Sequence, residues 1–357
     1  MPAGTHLPYG AQIDDYTLQT RDGMLLQTVR LRGLLFETAD TTELNYRLEL
    51  GDAILQAIGS PRFALYHHVI RRRVEATLRT DFTDAFSAHL DAKWRARMSQ
   101  QKLYVNELYL TLVRRPLLGR IGILERVSRW LGRSATTQDA ERASDLRALN
   151  AARDALIAAL SQYDPKLLQL YETDAGVCSE PLEFLSSLFN GAMQPVQLPN
   201  EDVGHYLPYR RVSFGQGALE LAPHGELPRR FSAIMSIKDY AAQTSPGMFD
   251  GLLRLPIELT VTQSFAFVQR TAALSRMNLT LRRLRSTEDE ALSLRDELVS
   301  AKDAVAAGRA GFGEHHMTVA VHGNTLTDVD RGVAEVSATL ADLGMVATRE
   351  DIGLEPS

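Results

Sequence analysis

A chain of 357 residues that is 45% hydrophobic holds enough apolar material for two or three compact units, and its net charge of −5 gives no global drive toward nucleic acid. One cysteine, Cys178, excludes an internal disulfide and a multi-cysteine zinc site. No apolar run reaches the roughly 18 residues of a membrane-spanning helix, and the first residues lack the basic-then-apolar pattern of a secretory signal, so the expected location is the cytosol. Lysine occurs only at Lys93, Lys102, Lys166, Lys238 and Lys302. Arginine therefore dominates the basic residues everywhere, and only its clustering carries information.

Residues 15–32 alternate as a hairpin, with Asp22-Gly23 supplying the positive-φ turn. Thr41 or Thr42 caps a predicted helix in which Leu44, Leu48, Ile54, Leu55 and Ile58 fall near helical spacing, and Gly59-Ser60-Pro61 ends it. A strand over 62–74, a helix over about 82–98 and a strand over 102–115 complete a first α+β sheet unit, 11–115. Residues 116–190 read as a helical insert. Leu146, Leu149, Leu156, Ile157 and Leu160 mark an amphipathic helix, Tyr163-Asp164-Pro165 breaks it, and a short helix over 181–190 closes at Gly191. Residues 191–204 are a proline-punctuated linker.

The same grammar returns in 205–351: a strand pair, a strand over 229–240, a short helix, a strand over 257–269, a helical region about 270–307, then strand, helix and strand. Hairpins mixed with alternating strands and helices predict an α+β fold. The reading is two related, decorated ferredoxin-like units, each a hairpin followed by αβαβ, with a helical insert and a long helical hairpin. Met277, Leu284, Ala291, Leu298 and Val305 recur every seven residues, which marks a packing seam. Ser286-Thr287-Glu288-Asp289 matches a capping box inside that region, so the helix restarts and folds back. Such a hairpin either reaches a neighbouring subunit or covers the sheet.

Few residues promise chemistry. The pairs His67-His68 and His315-His316 lie in predicted strands, where neighbours face opposite sides, so neither pair chelates one metal. No GxSxG, HExxH or CxxC occurs. The Gly-rich run Gly308–Gly313 precedes a strand and is followed by Glu314 and His315 instead of Lys and Ser/Thr, so it reads as a helix exit and not a phosphate-binding loop. Catalytic, cofactor and metal residues are expected to be absent. Arg71-Arg72-Arg73 alternate across a strand end without an aromatic platform, a weak nucleic-acid signal.

The segment 112–133 stands apart. Arg114, Arg115, Arg120, Arg126, Arg129 and Arg133 interleave with Leu117, Leu118, Ile121, Leu124, Val127, Trp130 and Leu131. Three readings fit: a membrane-surface helix with arginines on anionic headgroups, a core-facing helix with a solvated basic face, or a groove for a partner's helix.

Four stretches, YLPYRRVSFGQGALEL (206–221), 229–268, GFGEHHMTVAVHG (311–323) and LGMVATREDIGLEP (343–356), occur in an order that resembles the N-terminal half of the CagE/TrbE/VirB family of type IV secretion and conjugation ATPases. The resemblance implies a cytoplasmic protein peripheral on the bacterial inner membrane, with homo-oligomers and inner-membrane secretion subunits as partners. It places ATP and Mg in a following ATPase domain that this sequence is expected to lack. The implied function is docking and oligomerisation of a secretion motor for pilus assembly and transport of DNA or protein. The alternative is a free-standing nucleotide- or DNA-binding protein.

Overall fold

The computed structural model describes residues 3–33, 40, 42, 43, 45–47, 49, 51, 55, 58–74, 82–98, 102–116, 135–286 and 292–351. In the first unit, β1 (Tyr9–Gln12), β2 (Leu18–Thr20) and β3 (Leu25–Leu31) form a meander. The β2–β3 turn closes through Gly23 at φ +89, and Thr20 N donates to Met24 O at 2.9 Å. β4 (Phe63–Val74) and β5 (Leu103–Arg114) follow, separated by α1 (Ala85–Met98). Then come α2 (Ala135–Ala159) and three short strands, β6 (Lys166–Leu167), β7 (Leu170–Thr173) and β8 (Gly176–Ser179). The stretch read as a helical insert is therefore part strand. Asp164 takes the left-handed conformation (φ 46) where the helix was expected to break. α3 (Glu180–Asn190) is capped by the Ser179 hydroxyl on Leu182 N and by Gly191 at φ +67.

The second unit comprises β9 (Val212–Phe214), β10 (Leu219–Leu221), β11 (Arg230–Asp239), α4 (Asp250–Arg254) and β12 (Glu258–Phe267). It continues with α5 (Arg270–Ser286), α6 (Leu292–Ala306), β13 (Gly313–Gly323), α7 (Leu326–Asp342) and β14 (Val346–Arg349).

The pairing explains why the two halves read alike. β14–β11–β13–β12 are neighbours in that order and all antiparallel, the order 4-1-3-2 of a ferredoxin-like unit whose second and third strands are linked through α5 and α6. β6–β3–β5–β4 repeat the same order, with α1 in the corresponding connection. Thus α2 and β6 complete the first sandwich. The units meet through their second strands: β4 and β12 pair antiparallel from Leu259↔Arg71 to Ala266↔Ala64. One sheet results, and α1 and the α5–α6 hairpin leave its opposite poles.

Alternation along the strands divides the apolar residues between two faces. On one face Val69, Leu259, Val261, Val319, Val321 and Met235 pack with Leu252, Val336 and Leu340 from α4 and α7. Toward the other pole of that face Leu25, Leu65, Leu112 and Phe267 pack with Leu149 of α2. On the opposite face, α3 sets Leu182, Phe184 and Leu185 against Leu18 and Tyr109, with Phe184 and Tyr109 rings stacked at 4.4 Å. Val196, Leu198 and Val203, from the stretch read as a linker, join this core.

Candidate docking site

The basic segment leaves the sheet at the end of β5. Leu108, Leu110, Leu112 and Arg114 share one face of that strand by alternation, so Arg114 points toward α2. Its guanidinium lies 4.7 Å from the centre of the Phe63 ring, and its Nε is 3.3 Å from Asp145 Oδ1. Arg62 holds the same carboxylate with Nη2 at 2.6 and 2.7 Å. Burial, then the neighbouring Arg62 charge, lower the Arg114 pKa. Arg114, 9% exposed, is thus committed to the interior and not offered to a partner surface. Arg115 is half-buried; its N–H donates to Arg62 O at 2.7 Å, and its carbonyl accepts from the Arg62 guanidinium at 3.3 Å. Arg120, Arg126, Arg129, Trp130 and Arg133 lie outside the described residues.

The predicted seam lies within the helical hairpin. Met277 of α5 and Val305 of α6 are buried with Ala273, and Leu298 packs against them beside Val268, Leu274 and Phe312. Leu284 is half-buried, while residues 287–291, which include Ala291, lie outside the described residues. The exit from α6 is left-handed, as the glycines predict: Gly308 has φ +74, Gly308 N donates to Val305 O at 3.1 Å, and Arg309 N to Ala304 O at 2.9 Å. Arg276 ties the hairpin to β13 through Glu314 at 2.7 Å.

The histidine pairs face opposite sides, as alternation demands. His68 Nδ1 lies 3.0 Å from Thr262 Oγ1 and meets the Phe184 ring edge-on at 5.3 Å; burial, with His67 as the smaller cause, pushes its pKa down to about 4. His315 rests on the Tyr240 ring at 5.2 Å. Of the arginine triplet, Arg71 donates to Leu255 O at 2.8 Å and to Asn106 at 2.9 Å, and Arg72 pairs with Glu107 at 2.8 Å. Arg73 is exposed.

A polar centre that local sequence patterns do not announce lies on β13. His322 Nδ1 is 2.7 Å from Ser232 Oγ and Nε2 is 3.1 Å from Thr260 Oγ1, so a neutral ring bridges hydroxyls of β11 and β12. The residue keeps some exposure, but its nitrogens face inward. Burial, then the Arg230 charge, push its pKa down to about 3. Beside it Arg230 pairs with Glu258 at 2.5 Å, at the junction of clefts of about 440 and 530 Å³. Held between a hydroxyl of β11 and one of β12, the imidazole braces the sheet across three strands. Among the described residues, no group of three or more His, Cys, Asp or Glu is placed to hold a metal, and no helix is long and apolar enough to cross a membrane.

Comparison with known proteins fits these features. Residues 166–357 match the CagE, TrbE, VirB family, component of type IV transporter system, and residues 16–120 match the N-terminal domain of the type IV secretion system ATPase VirB4/TrbE. The type IV secretion system protein virB4 of Bartonella quintana (strain Toulouse) is 31% identical over 350 residues, covering 98% of this chain and 44% of that protein. Its counterpart in Brucella suis biovar 1 (strain 1330) is 30% identical, covering 96% and 42%, and the protein virB4 of Agrobacterium fabrum (strain C58 / ATCC 33970) is 29% identical, covering 98% and 44%. The chain thus spans under half the length of these relatives. With a family match over more than half its residues and a second over the first sheet unit, the chain belongs to the CagE/TrbE/VirB family of type IV secretion components.

Proposed function

We propose that this chain is the docking and oligomerisation part of a type IV secretion motor, positioned at the inner-membrane base of the channel for pilus assembly and substrate transport. The observation that supports this reading is the ion-pair cluster of Arg62, Asp145 and Arg114, which joins the strand that leads into the basic segment to the helix that follows it. Inner-membrane subunits of the secretion system and further copies of the chain are the partners this reading names. The basic segment supplies its peripheral membrane contact, with the protein on the cytoplasmic side.

Hydrolysis is assigned to another part of the motor. None of the five lysines follows a glycine, and Gly308–Gly313 leads from a helix into a strand, the reverse of a phosphate-binding loop. On this reading ATP and Mg bind in another part of the motor. The test is twofold. Replacing Arg120, Arg126, Arg129 and Arg133 with Glu is expected to abolish sedimentation with phosphatidylglycerol vesicles; unchanged sedimentation removes the membrane role of the segment. Release of phosphate from ATP by the purified chain would overturn the non-catalytic reading, and steeply salt-dependent DNA binding would favour a nucleic-acid role.

A further inference from the structure

α1 is built inside out. Its exposed line carries Phe86, Leu90 and Trp94, four residues apart and 76, 58 and 45% exposed, with Phe82 at 39% preceding the helix on the same line. Its least exposed line carries Ser87, Asp91, Arg95 and Met98, with Asp91 and Arg95 ion-paired. A helix that served only to cover the sheet would turn the aromatic line inward. No residue of α1 is buried, and a helix of this length is marginal in water without a surface to cover its apolar side.

The internal repeat sharpens the point. α1 occupies the connection that in the second unit holds the α5–α6 hairpin. There the apolar line of α5 is covered by α6 through Met277 and Val305. The α1 line has no such cover among the described residues.

Charge selects the occupant. His89, Lys93 and Arg97 run beside the aromatic line, one helical step away, and all three are exposed. The one carboxylate within the helix, Asp91, is held by Arg95 on the other side, and Asp84 is turned to the N-terminus, where its Oδ1 accepts from Ser87 N at 2.7 Å. Arg73 and Lys102, also exposed, stand where β4 and β5 lead into and out of this connection. Aromatic side chains that include tryptophan, with an exposed basic row next to them whose long side chains can reach past them to the headgroups, match the interface of an anionic membrane.

We propose that α1 lies in the surface of an anionic bilayer, with Phe86, Leu90 and Trp94 at the acyl boundary and His89, Lys93 and Arg97 on the headgroups. The inference rests on the reading of the chain as membrane-docked and adds a contact that the basic segment does not supply. α1 leads into the end of β5 opposite to Arg115, a strand end about 40 Å away.

The two tryptophans, Trp94 and Trp130, test the two contacts separately. In the full chain with Trp130→Phe, vesicles of phosphatidylglycerol are expected to blue-shift Trp94 emission, and bromine-labelled acyl chains to quench it, whereas phosphatidylcholine vesicles leave it unchanged. The exposed triple Phe86→Ser, Leu90→Ser, Trp94→Ser is expected to weaken sedimentation with phosphatidylglycerol by at least about tenfold, with an unchanged far-UV circular dichroism spectrum and thermal transition. If Trp94 stays unquenched while Trp130, in the Trp94→Phe chain, is quenched, α1 is not a lipid contact although docking stands. If neither responds, both fail. If the triple variant alters the oligomeric state and not vesicle binding, the aromatic line belongs to a protein interface and the proposal is overturned.

Discussion

Arg114, at the end of β5, places its Nε 3.3 Å from Asp145 Oδ1 on α2, joining strand and helix across 31 positions of chain. Arg62 shares the same carboxylate, so two guanidiniums depend on one anion. Asp145→Ala leaves Arg114 buried beside another cation. It is expected to cost about 3 kcal/mol, measured by urea denaturation, because removing one partner strands a buried charge. Replacing Arg114 and Asp145 together with Met and Leu is expected to recover part of that loss, since Arg62 still lacks its carboxylate; an unaltered midpoint for Asp145→Ala would refute the arrangement.

His68 and His322 make stability depend on pH. Their folded-state pKa values lie near 4 and 3, below the ordinary 6.5, so on acidification the unfolded chain takes up protons first. Their contribution is complete above about pH 6.5 and is lost as pH falls toward the folded values. From about pH 7.5 to about pH 5 each costs about 2 kcal/mol. His67 and His315, also lowered by burial, act in the same direction. His322→Gln is expected to remove about 2 kcal/mol of this decline; an unaltered pH dependence would contradict the neutral, doubly bridged ring.

Gly332 lets α7 approach the sheet. A Cβ there meets Val321 Cγ1 at 2.7 Å, and Val321 is fully buried. Alanine in a helix gains up to about 1 kcal/mol over glycine, but overpacking costs about 1–3 kcal/mol. Overpacking wins here because a side chain with no exposed surface has little room to yield. Gly332→Ala is expected to lower stability by about 1–2 kcal/mol. Gly251→Ala, whose Cβ meets its first neighbour at 3.5 Å, is expected to be neutral or slightly stabilising. Thermal denaturation of the pair distinguishes close approach from a general glycine effect.

Arg210 is a buried cation satisfied by carbonyls. Its Nε donates to Ala222 O at 2.8 Å, and its Nη atoms to Asn190 O and Leu221 O, both at 3.1 Å, and to Pro228 O. Burial lowers its pKa. The carbonyl of Asn190 ends α3, where the helix dipole favours a cation. Arg210→Lys is expected to cost roughly 2–4 kcal/mol in denaturant titrations, because an ammonium cannot span four acceptors arranged for a planar fork.

Much of the fold was legible because strand alternation and turn residues act locally. Asp22-Gly23, Asp164 and Gly308 sit at the turns they predict. β1 escaped because YGAQ has no alternation, and β6 because two residues carry no period. The polar bridges escaped for another reason. Thr28 and Thr111 meet at 2.9 Å across 83 residues, and Ser232 and His322 across 90; such pairs depend on register, which only the assembled sheet fixes. Arg114 was legible in principle, since it shares the parity of Leu108, Leu110 and Leu112. Clustering by residue type hides that parity. The aromatic line of α1 was equally visible at four-residue spacing, but spacing alone does not say which side of a helix faces out.

The antiparallel ladder between β4 and β12 has a mechanical meaning. Forces applied at α1 and at the α5–α6 hairpin pull on opposite ends of two strands that lie side by side, so they load the backbone bonds from Leu259↔Arg71 to Ala266↔Ala64 together, in shear. Bonds loaded that way share the force along the whole ladder, whereas a pull from one end would open them one after another.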